Sequence, residues 1–429
     1  MTAHAIAALL AADHALPHRD RLLDATTVTE RLAQLVGRRG EIERCRLRRA
    51  KYRVGESLRV VYDVDVDGAR HQLAGRMSLD GRSESIYRSA IDRAVPSGPF
   101  DGVFHDDRCS TVWWTFPNDR KLRHLDALMR PPSALGLTTA PSWTHSELVE
   151  FAPEHCATVR CLDNTGRTVA FAKAYRPGDG RHLAERYRLI AESLAIGGVT
   201  RTPQPLSCSN ELDVLVLEAL PGRRWAELNA AELSPLFAKL GPAIAAVHQI
   251  QAVSAREFGR LSTQRVVHSA ELVATARPDL ADLCAALSRE LRDGPPDSPA
   301  DRVLLHGDVH PGNALLDGSS VHLIDLDQSA IGAAAADIGS LAARMRYVDV
   351  LAADGSTHGA ELFAMFADGY ASLRPLPSSA TLRWHTAAAL VAERAMRAVN
   401  RVHRDALPML EPVLVEALAL LQKDNHDDL

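Results

Sequence analysis

The chain has 429 residues, of which 46% are hydrophobic and 24% are charged, and its formal net charge is −5 at pH 7. These fractions are ordinary for a globular protein and exclude an intrinsically disordered chain, and the length predicts two or three domains. The acidic balance argues against a general nucleic-acid-binding protein, which is usually basic.

The first half of the chain shows two stretches with the pattern of β-strands. Short amphipathic helices are predicted for the first 40 residues, and residues 46–79 then alternate in polarity around a turn at Asp67-Gly68, which predicts a meander of antiparallel strands. A helix is expected over 83–94, a strand over 111–116 and a linker over 131–142, where Pro, Gly and Thr accumulate.

A second strand meander begins at Glu147 and resembles the first. The residues after Tyr52 align with those after Phe151, and a two-residue gap then brings Arg76 opposite Lys173. Such self-similarity suggests a duplicated sheet unit. A loose alignment of two Arg-rich meanders explains it equally well.

The rest of the chain is mostly helical. A helix is predicted over 181–195, a strand over 213–220, and a strand–loop–strand–turn–strand unit over 303–326. A small sheet unit followed by a larger helical unit indicates an α+β protein. We expect three parts: residues 1–140, residues 141–220 and residues 221–429.

The cysteines and the apolar segments give an expectation about location. Six cysteines occur without a CxxC pair, which is typical of reduced thiols rather than of a disulfide framework or a zinc site. No uninterrupted apolar run reaches the roughly 18 residues of a membrane span, and the apolar stretch at 5–12 lacks the basic flank of a signal peptide. We therefore predict a cytoplasmic protein with neither membrane nor nucleic-acid partners.

The strongest chemical signal is the segment HGDVHPGN at residues 306–313, followed by Asp325 and Asp327. Its Asp308 and Asn313 lie five residues apart in a predicted loop, and Asp325 follows Asp308 by 17 residues. Phosphoryl transfer needs this set of oxygen atoms. One carboxylate orients the acceptor hydroxyl and accepts its proton, while an amide oxygen and a second carboxylate hold Mg²⁺ against the nucleotide phosphates.

Residues 303–341 resemble the catalytic stretch of the aminoglycoside phosphotransferase and choline kinase-like family, whose fold is related to that of protein kinases. The resemblance implies a small antiparallel-sheet N-lobe (141–220) and a mostly helical C-lobe (221–429). An α+β cap domain (1–140), a candidate degenerate duplicate of the N-lobe, precedes them. The resemblance also implies roles for individual residues: Asp308 as catalytic base, Asn313 and Asp325 as metal ligands, His306 as a loop-shaping residue, Asp337 as a support of the catalytic loop, and Asp327 as an additional metal-binding or positioning group.

The family also requires a cation on the nucleotide phosphates. Lys173 lies in an apolar strand 135 residues before Asp308, and only five of the 49 basic residues are Lys. Protein kinases place their phosphate-pairing Lys in such a strand. Its expected partner on the following helix is Glu185, with Glu192 one heptad later as the alternative. The strand DVLVLEAL resembles the adenine-binding hinge, which we place at Glu218, Ala219 and Leu220.

The predicted function is a small-molecule kinase that uses Mg²⁺ and ATP or GTP. The expected acceptor is a hydroxyl of a sugar, amino sugar, aminocyclitol or aminoglycoside. A nucleotide-binding pseudokinase or regulatory module without turnover is the alternative, and a protein kinase is disfavoured because no long activation segment follows Asp325. Arg394, Arg397 and Arg401 share one helix face, which is consistent either with an acceptor pocket or with a salt-bridged surface.

Overall fold

The computed structural model describes residues 3–36, 40–79, 81–137, 141–251, 255–295, 301–352 and 357–423. Within these ranges, the first part contains three helices followed by a five-stranded antiparallel sheet of order β1-β2-β3-β5-β4, with one helix inserted between its third and fourth strands and another after its last strand. Its elements are α1 (Ala3–Ala7), α2 (Arg19–Leu23), α3 (Ala25–Val36), β1 (Ile42–Arg53), β2 (Ser57–Val66), β3 (Ala69–Ser78), α4 (Arg82–Ile91), β4 (Val103–Asp106), β5 (Thr111–Thr115) and α5 (Leu125–Leu128).

The second part repeats this arrangement. Its sheet has the order β6-β7-β8-β10-β9 and again carries a helix between the third and fourth strands. The elements are β6 (His145–Ala152), β7 (Cys156–Leu162), β8 (Thr168–Tyr175), α6 (Asp179–Gly197), β9 (Pro205–Ser209) and β10 (Val214–Glu218).

The strand registers of the two sheets also correspond. Arg76 on β3 lies opposite Arg59 on β2, which is two residues beyond the first residue of that strand. Lys173 on β8 lies opposite Thr158 on β7, again two residues beyond the start of the strand. Arg76 and Lys173 therefore occupy equivalent register positions in the two sheets.

The third part is mostly helical and carries small sheets that position the catalytic loop. Strands β12 and β15 pair with each other, and β13 pairs with both β11 and β14. Its elements are β11 (Arg223–Arg224), α7 (Ala230–His248), α8 (Thr263–Ala276), α9 (Ala281–Leu291), β12 (Arg302–Leu305), β13 (Ala314–Asp317), β14 (Ser320–Leu323), β15 (Ala330–Ala333), α10 (Ala334–Leu351), α11 (His358–Ala371), α12 (Ser379–Ala389), a π-helical turn (Leu390–Ala395), α13 (Met396–Arg401) and α14 (Leu410–Gln422).

The first sheet is buried on both faces. Successive residues of a strand point to opposite faces, and Trp113 joins a core shared with α8, α9 and α14, whereas Trp114 joins a core shared with the second sheet. Leu135, Leu137 and Trp143 are buried in that inter-sheet core. Two leucines of the predicted linker are therefore packed in this core, and its residues 138–140 lie outside the described ranges. Its Pro and Gly residues indicate irregular backbone, and they carry no information about burial.

The structure has the predicted two-lobe, kinase-like α+β architecture, with the additional α+β part before it. Of the helices in the described ranges, α7 alone is long and apolar enough to cross a membrane by length and composition, and 44% of that stretch is buried inside the protein. The six cysteines are unpaired thiols.

Candidate active site

The loop between β12 and β13 carries Asp308 and Asn313. It begins with His306 and a left-handed Gly307 (φ +81°), where a Cβ atom would collide with the backbone oxygen of Gln328, so this turn requires glycine. The Asn313 amide nitrogen donates to the Asp308 carbonyl oxygen at 3.0 Å. This hydrogen bond closes the loop and leaves the Asn313 amide oxygen as the group that can bind a cation.

Asp337, near the start of α10, anchors the backbone of this loop. Its carboxylate is buried and accepts hydrogen bonds from the backbone N–H groups of His306 (2.7 Å) and Gly307 (2.9 Å). His248 Nε2 lies 3.2 Å from the same carboxylate, and its Nδ1 lies 2.9 Å from the Tyr370 hydroxyl. A buried carboxylate with three partners is a fixed anchor.

His306 connects the catalytic loop to the segment that carries Asp325. Its Nε2 lies 3.1 Å from the Ile324 carbonyl oxygen, and the Ile324 N–H donates to the Asn313 carbonyl oxygen at 2.9 Å. The hydrogen bond of Ile324 therefore places the next residue, Asp325, beside Asn313. Asp325 adopts a left-handed conformation (φ +65°), which Asp tolerates better than most residues, and 43% of its side chain is exposed.

Asn313 and Asp325 suit a magnesium ion that is bound together with a nucleotide. Mg²⁺ takes few protein oxygen ligands and fills its remaining positions with phosphate oxygens and water, and this pair offers an amide oxygen and a partly exposed carboxylate. The described ranges contain no group of three or more His, Cys, Asp or Glu side chains that forms an all-protein metal site.

Lys173 crosses from the second sheet to this loop. Its ammonium group lies 2.6 Å from an Asp325 oxygen and 3.1 Å from an Asp327 oxygen. Burial acts to lower the pKa of Lys173, but its partners, among them these two carboxylates, outweigh it and raise the pKa well above its usual value. Lys173 is therefore positively charged at neutral pH.

The expected ion pair of Lys173 with Glu185 is absent from this structure. Glu185 is exposed on α6, and Glu192 forms an exposed pair with Arg188 instead. Helix α6 is attached by Tyr187, whose hydroxyl donates to Asp327 (2.9 Å) and accepts from the Leu326 N–H (2.9 Å).

Asp327 is the centre of this network. One of its oxygens accepts from the hydroxyls of Tyr175 (3.0 Å) and Tyr187, and the other accepts from Lys173. Both oxygens of this carboxylate therefore take part in holding Lys173, Tyr175 and Tyr187 together. The sequence reasoning missed both tyrosines, although Tyr175 lies two residues after Lys173 on one strand face.

The predicted hinge connects β10 to β11. The Glu218 carboxylate pairs with Arg201 (2.7 Å), and the Glu218 N–H donates to the Gln204 carbonyl oxygen (2.9 Å). Ala219 and Leu220 are half-buried, and their backbone groups form no hydrogen bonds with other described backbone groups. The backbone at Ala219 and Leu220 is therefore available for a ligand.

The hairpin between β6 and β7 is held by the first sheet. Glu154 at its tip has a left-handed backbone (φ +63°), and its carboxylate pairs with Arg76 (2.8 Å), Arg59 (3.3 Å) and Arg120 (3.5 Å). The Glu154 N–H donates to Asp119 at 2.9 Å. In protein kinases a glycine-rich loop covers the phosphates at the corresponding hairpin; here the hairpin is an acidic turn enclosed by arginines.

Asp308 is surrounded by positive charge that the sequence did not reveal. Arg260 donates to Asp308 (3.2 Å) and to Glu393 (3.4 Å). Burial acts to raise the pKa of Asp308, but the charge and hydrogen bond of Arg260, together with His310 and His306, outweigh it, and the pKa lies below its usual value. Asp308 is therefore ionised at neutral pH, as a general base must be.

The three arginines grouped in the sequence have separate positions. Arg394 is buried beside Glu393 (3.6 Å), whereas Arg397 is exposed. Arg401 donates to the Ala50 carbonyl oxygen of β1 (3.3 Å) and so contacts the first sheet.

The sequence matches the model of the phosphotransferase enzyme family (APH) over residues 157–382. Among solved structures, the chain is similar to the amicoumacin kinase hAmiN in complex with AMP-PNP, Ca²⁺ and Ami (18% identity, TM-score 0.45, 65% of this chain and 91% of that chain). It is also similar to a choline/ethanolamine kinase family protein from Mesorhizobium loti (15% identity, TM-score 0.44, 70% of this chain and 93% of that chain). No curated protein matches the chain significantly.

Proposed function

Because the chain belongs to the phosphotransferase enzyme family, whose model covers 226 of its 429 residues, we propose that it transfers the γ-phosphoryl group of ATP or GTP to a hydroxyl of a small molecule. The observation that carries this proposal is the contact of Lys173 with Asp325 across the two lobes. This contact places the Lys173 ammonium group beside Asp325. Asp325 in turn lies next to the loop that carries Asn313 and the ionised Asp308.

Asp308 is the proposed general base. In the transfer, the acceptor oxygen forms a bond to the γ-phosphorus, the bond from that phosphorus to the bridging oxygen of the nucleotide breaks, and the hydroxyl proton moves to the Asp308 carboxylate. Arg260 stabilises that carboxylate in its ionised form. Arg260 binds only the Oδ1 atom of Asp308, so that the Oδ2 atom can accept from the acceptor hydroxyl.

Lys173 is proposed to bind the nucleotide phosphates, and the backbone at Glu218, Ala219 and Leu220 to bind the base. Asn313 and Asp325 would hold Mg²⁺, which, when bound, neutralises charge on the phosphates. Asp327, Tyr175 and Tyr187 fix Lys173 in position, and His306 and Asp337 fix the loop. This assignment leaves Glu185 without a role in binding.

Residues 1–140 are proposed to be a cap domain whose sheet duplicates the N-lobe. The equal strand orders and the equivalent positions of Arg76 and Lys173 support this origin. In the first sheet the cation binds Glu154 of the second sheet rather than a nucleotide. We also predict a cytoplasmic protein, in line with its unpaired thiols.

The test is a nucleotide-consumption assay with Mg²⁺ in which ATP and GTP are each offered with sugars, amino sugars, aminocyclitols, aminoglycosides and sugar acids. Asp308→Asn is the matched control, because it removes the base and keeps the shape. We expect acceptor-dependent turnover to fall by about 10²- to 10⁴-fold in this variant while nucleotide binding is retained. Nucleotide binding without turnover of any acceptor would favour a pseudokinase.

A further inference from the structure

Four arginines lie around the proposed catalytic base, and they outnumber the carboxylates near them. Two of the guanidinium groups share the carboxylates of Asp308 and Glu393, since Arg260 binds both and Arg394 lies 3.6 Å from Glu393. Arg344 and Arg397 also act electrostatically on this group of side chains. Four positive charges therefore face two negative charges at the centre of the C-lobe.

Part of this positive charge has no counter-ion. Arg394 has only 10% of its side chain exposed, and the Nε atoms of Arg394 and Arg344 are buried without a hydrogen-bond partner. Arg344 and Arg397 form no side-chain ion pair within the described ranges. Burial, together with Arg394 and Arg397, lowers the pKa of Arg344 to about 10, and a buried guanidinium nitrogen without a hydrogen-bond partner is costly. The cluster is therefore incomplete as it stands.

The arginine cluster lies near the catalytic loop. Arg344 lies seven residues after Asp337 on α10 and hence on the same helix face, and Asp337 binds the loop backbone. Arg394 lies in the π-helical turn, and such turns occur frequently at functional sites.

The nucleotide phosphates have other partners. Lys173 on the second sheet contacts Asp325, whereas Arg344, Arg394 and Arg397 belong to C-lobe helices. We propose that the arginines Arg344, Arg394 and Arg397 bind an oxyanion of the acceptor, and that the substrate of this kinase is a hydroxyl compound with a carboxylate or phosphate group. This inference rests on the proposed function and narrows its acceptor class.

The charge distribution also disfavours two acceptor classes. Aminoglycosides and choline are cations, and a like-charged site repels them. Guanidinium groups bind carboxylates and phosphates through paired hydrogen bonds, which neutral sugars do not provide. The negative group would supply the missing counter-ion while its hydroxyl reaches Asp308.

The test is calorimetric binding with matched probes in the presence of saturating Mg²⁺ and AMP-PNP, so that the nucleotide-phosphate site is filled. The probes are D-glucuronate against D-glucose, and glycerol 3-phosphate against glycerol. We expect saturable binding of at least one charged probe and none of its neutral partner. The two charged probes distinguish a site for carboxylates from a site for phosphates.

Arginine variants locate the binding site. Arg344→Gln and Arg394→Gln are expected to weaken the binding of the charged probe by about tenfold or more. Arg397→Gln, at an exposed position, keeps the test valid if a buried variant fails to fold. Arg292→Gln, exposed at the end of α9, is the control and is expected to bind like the wild type.

The outcomes separate this inference from the proposed function. Equal binding of charged and neutral probes, no binding of either charged probe, or binding that survives all three cluster substitutions would overturn the anionic acceptor. Turnover of aminoglycosides or neutral sugars in preference to sugar acids would also overturn it while supporting the kinase. Arginine-dependent binding of a charged probe, without turnover of any acceptor, would instead count against the proposed function and leave the anion site standing.

Discussion

Arg76 and Glu154 join the two sheets at the hairpin that corresponds to the phosphate-binding loop of kinases. The Arg76 guanidinium lies 2.8 Å from the Glu154 carboxylate, and Arg76 occupies the position in the first sheet that Lys173 occupies in the second. The first sheet thus uses its counterpart of Lys173 to hold a loop of the second sheet.

Removing the charge of Glu154 tests whether this contact stabilises the nucleotide loop. Only 6% of the Glu154 side chain is exposed, and it faces Arg59, Arg76 and Arg120. Because Glu154→Gln leaves these arginines without their shared counter-ion, we expect the free energy of unfolding to fall by about 3 kcal/mol and the KM for ATP to rise. Chemical denaturation and initial-rate kinetics measure the two effects.

The matched control is Glu147→Gln on the same sheet. Glu147 pairs with Arg160 at an exposed position, and such pairs contribute about 0–1 kcal/mol. Equal losses of stability in the two variants would show that the Glu154 cluster is an ordinary surface ion pair.

A second pair of substitutions distinguishes the contribution of Lys173 to nucleotide use from that of Glu185. Lys173→Gln removes a buried charge that contacts Asp325 and Asp327, and we expect a loss of about ten- to a hundredfold in kcat/KM for the nucleotide. Glu185→Gln changes an exposed side chain and is expected to leave this constant within about twofold. Equal losses would mean that Lys173 pairs with Glu185 in the nucleotide complex.

Tyr187→Phe tests how α6 is attached. The substitution removes a hydroxyl that binds both Asp327 and the Leu326 N–H and leaves that buried N–H without a partner. We expect a loss of about 1–3 kcal/mol in the free energy of unfolding, together with weaker nucleotide binding. The control is Tyr87→Phe, because the Tyr87 ring stacks on His105 and its hydroxyl has no side-chain partner within the described ranges. Unfolding midpoints that agree in both variants would contradict the assignment.

Arg260 sets the pH range in which Asp308 is ionised. The Arg260 charge, acting against burial, lowers the pKa of Asp308, so removing this charge in Arg260→Gln must raise that pKa. Protonated Asp308 cannot accept the hydroxyl proton, and the acidic limb of the kcat/KM profile should therefore move to higher pH. Arg260→Lys retains a positive charge and should show a smaller movement. An acidic limb at the same pH in the wild type and both variants would exclude Asp308 as the group that titrates.

Local sequence patterns predicted most elements of the fold. The meanders, the turn at Asp67-Gly68, helix α6 and the strands around the catalytic loop follow from polarity periods and turn residues, which act over a few neighbours. The edge strands β4 and β9 were not predicted, because short edge strands have little periodicity. The spacing of Asp308, Asn313 and Asp325 was readable for the same reason, since one loop and one hairpin hold all three.

Contacts between distant segments decided the rest. Tyr187, and not the predicted Glu185, links α6 to the segment that carries Asp327. Helix α6 packs with the face that carries the tyrosine, and helical spacing alone does not select a face. The Arg260–Asp308 pair joins residues 48 positions apart, and the Glu154 cluster joins two separate sheets. The sequence by itself determined the spacing of Asp308, Asn313 and Asp325 and the two strand meanders. Only the tertiary structure decided the electrostatics around Asp308, because charges interact through space and a linear sequence does not give their distances.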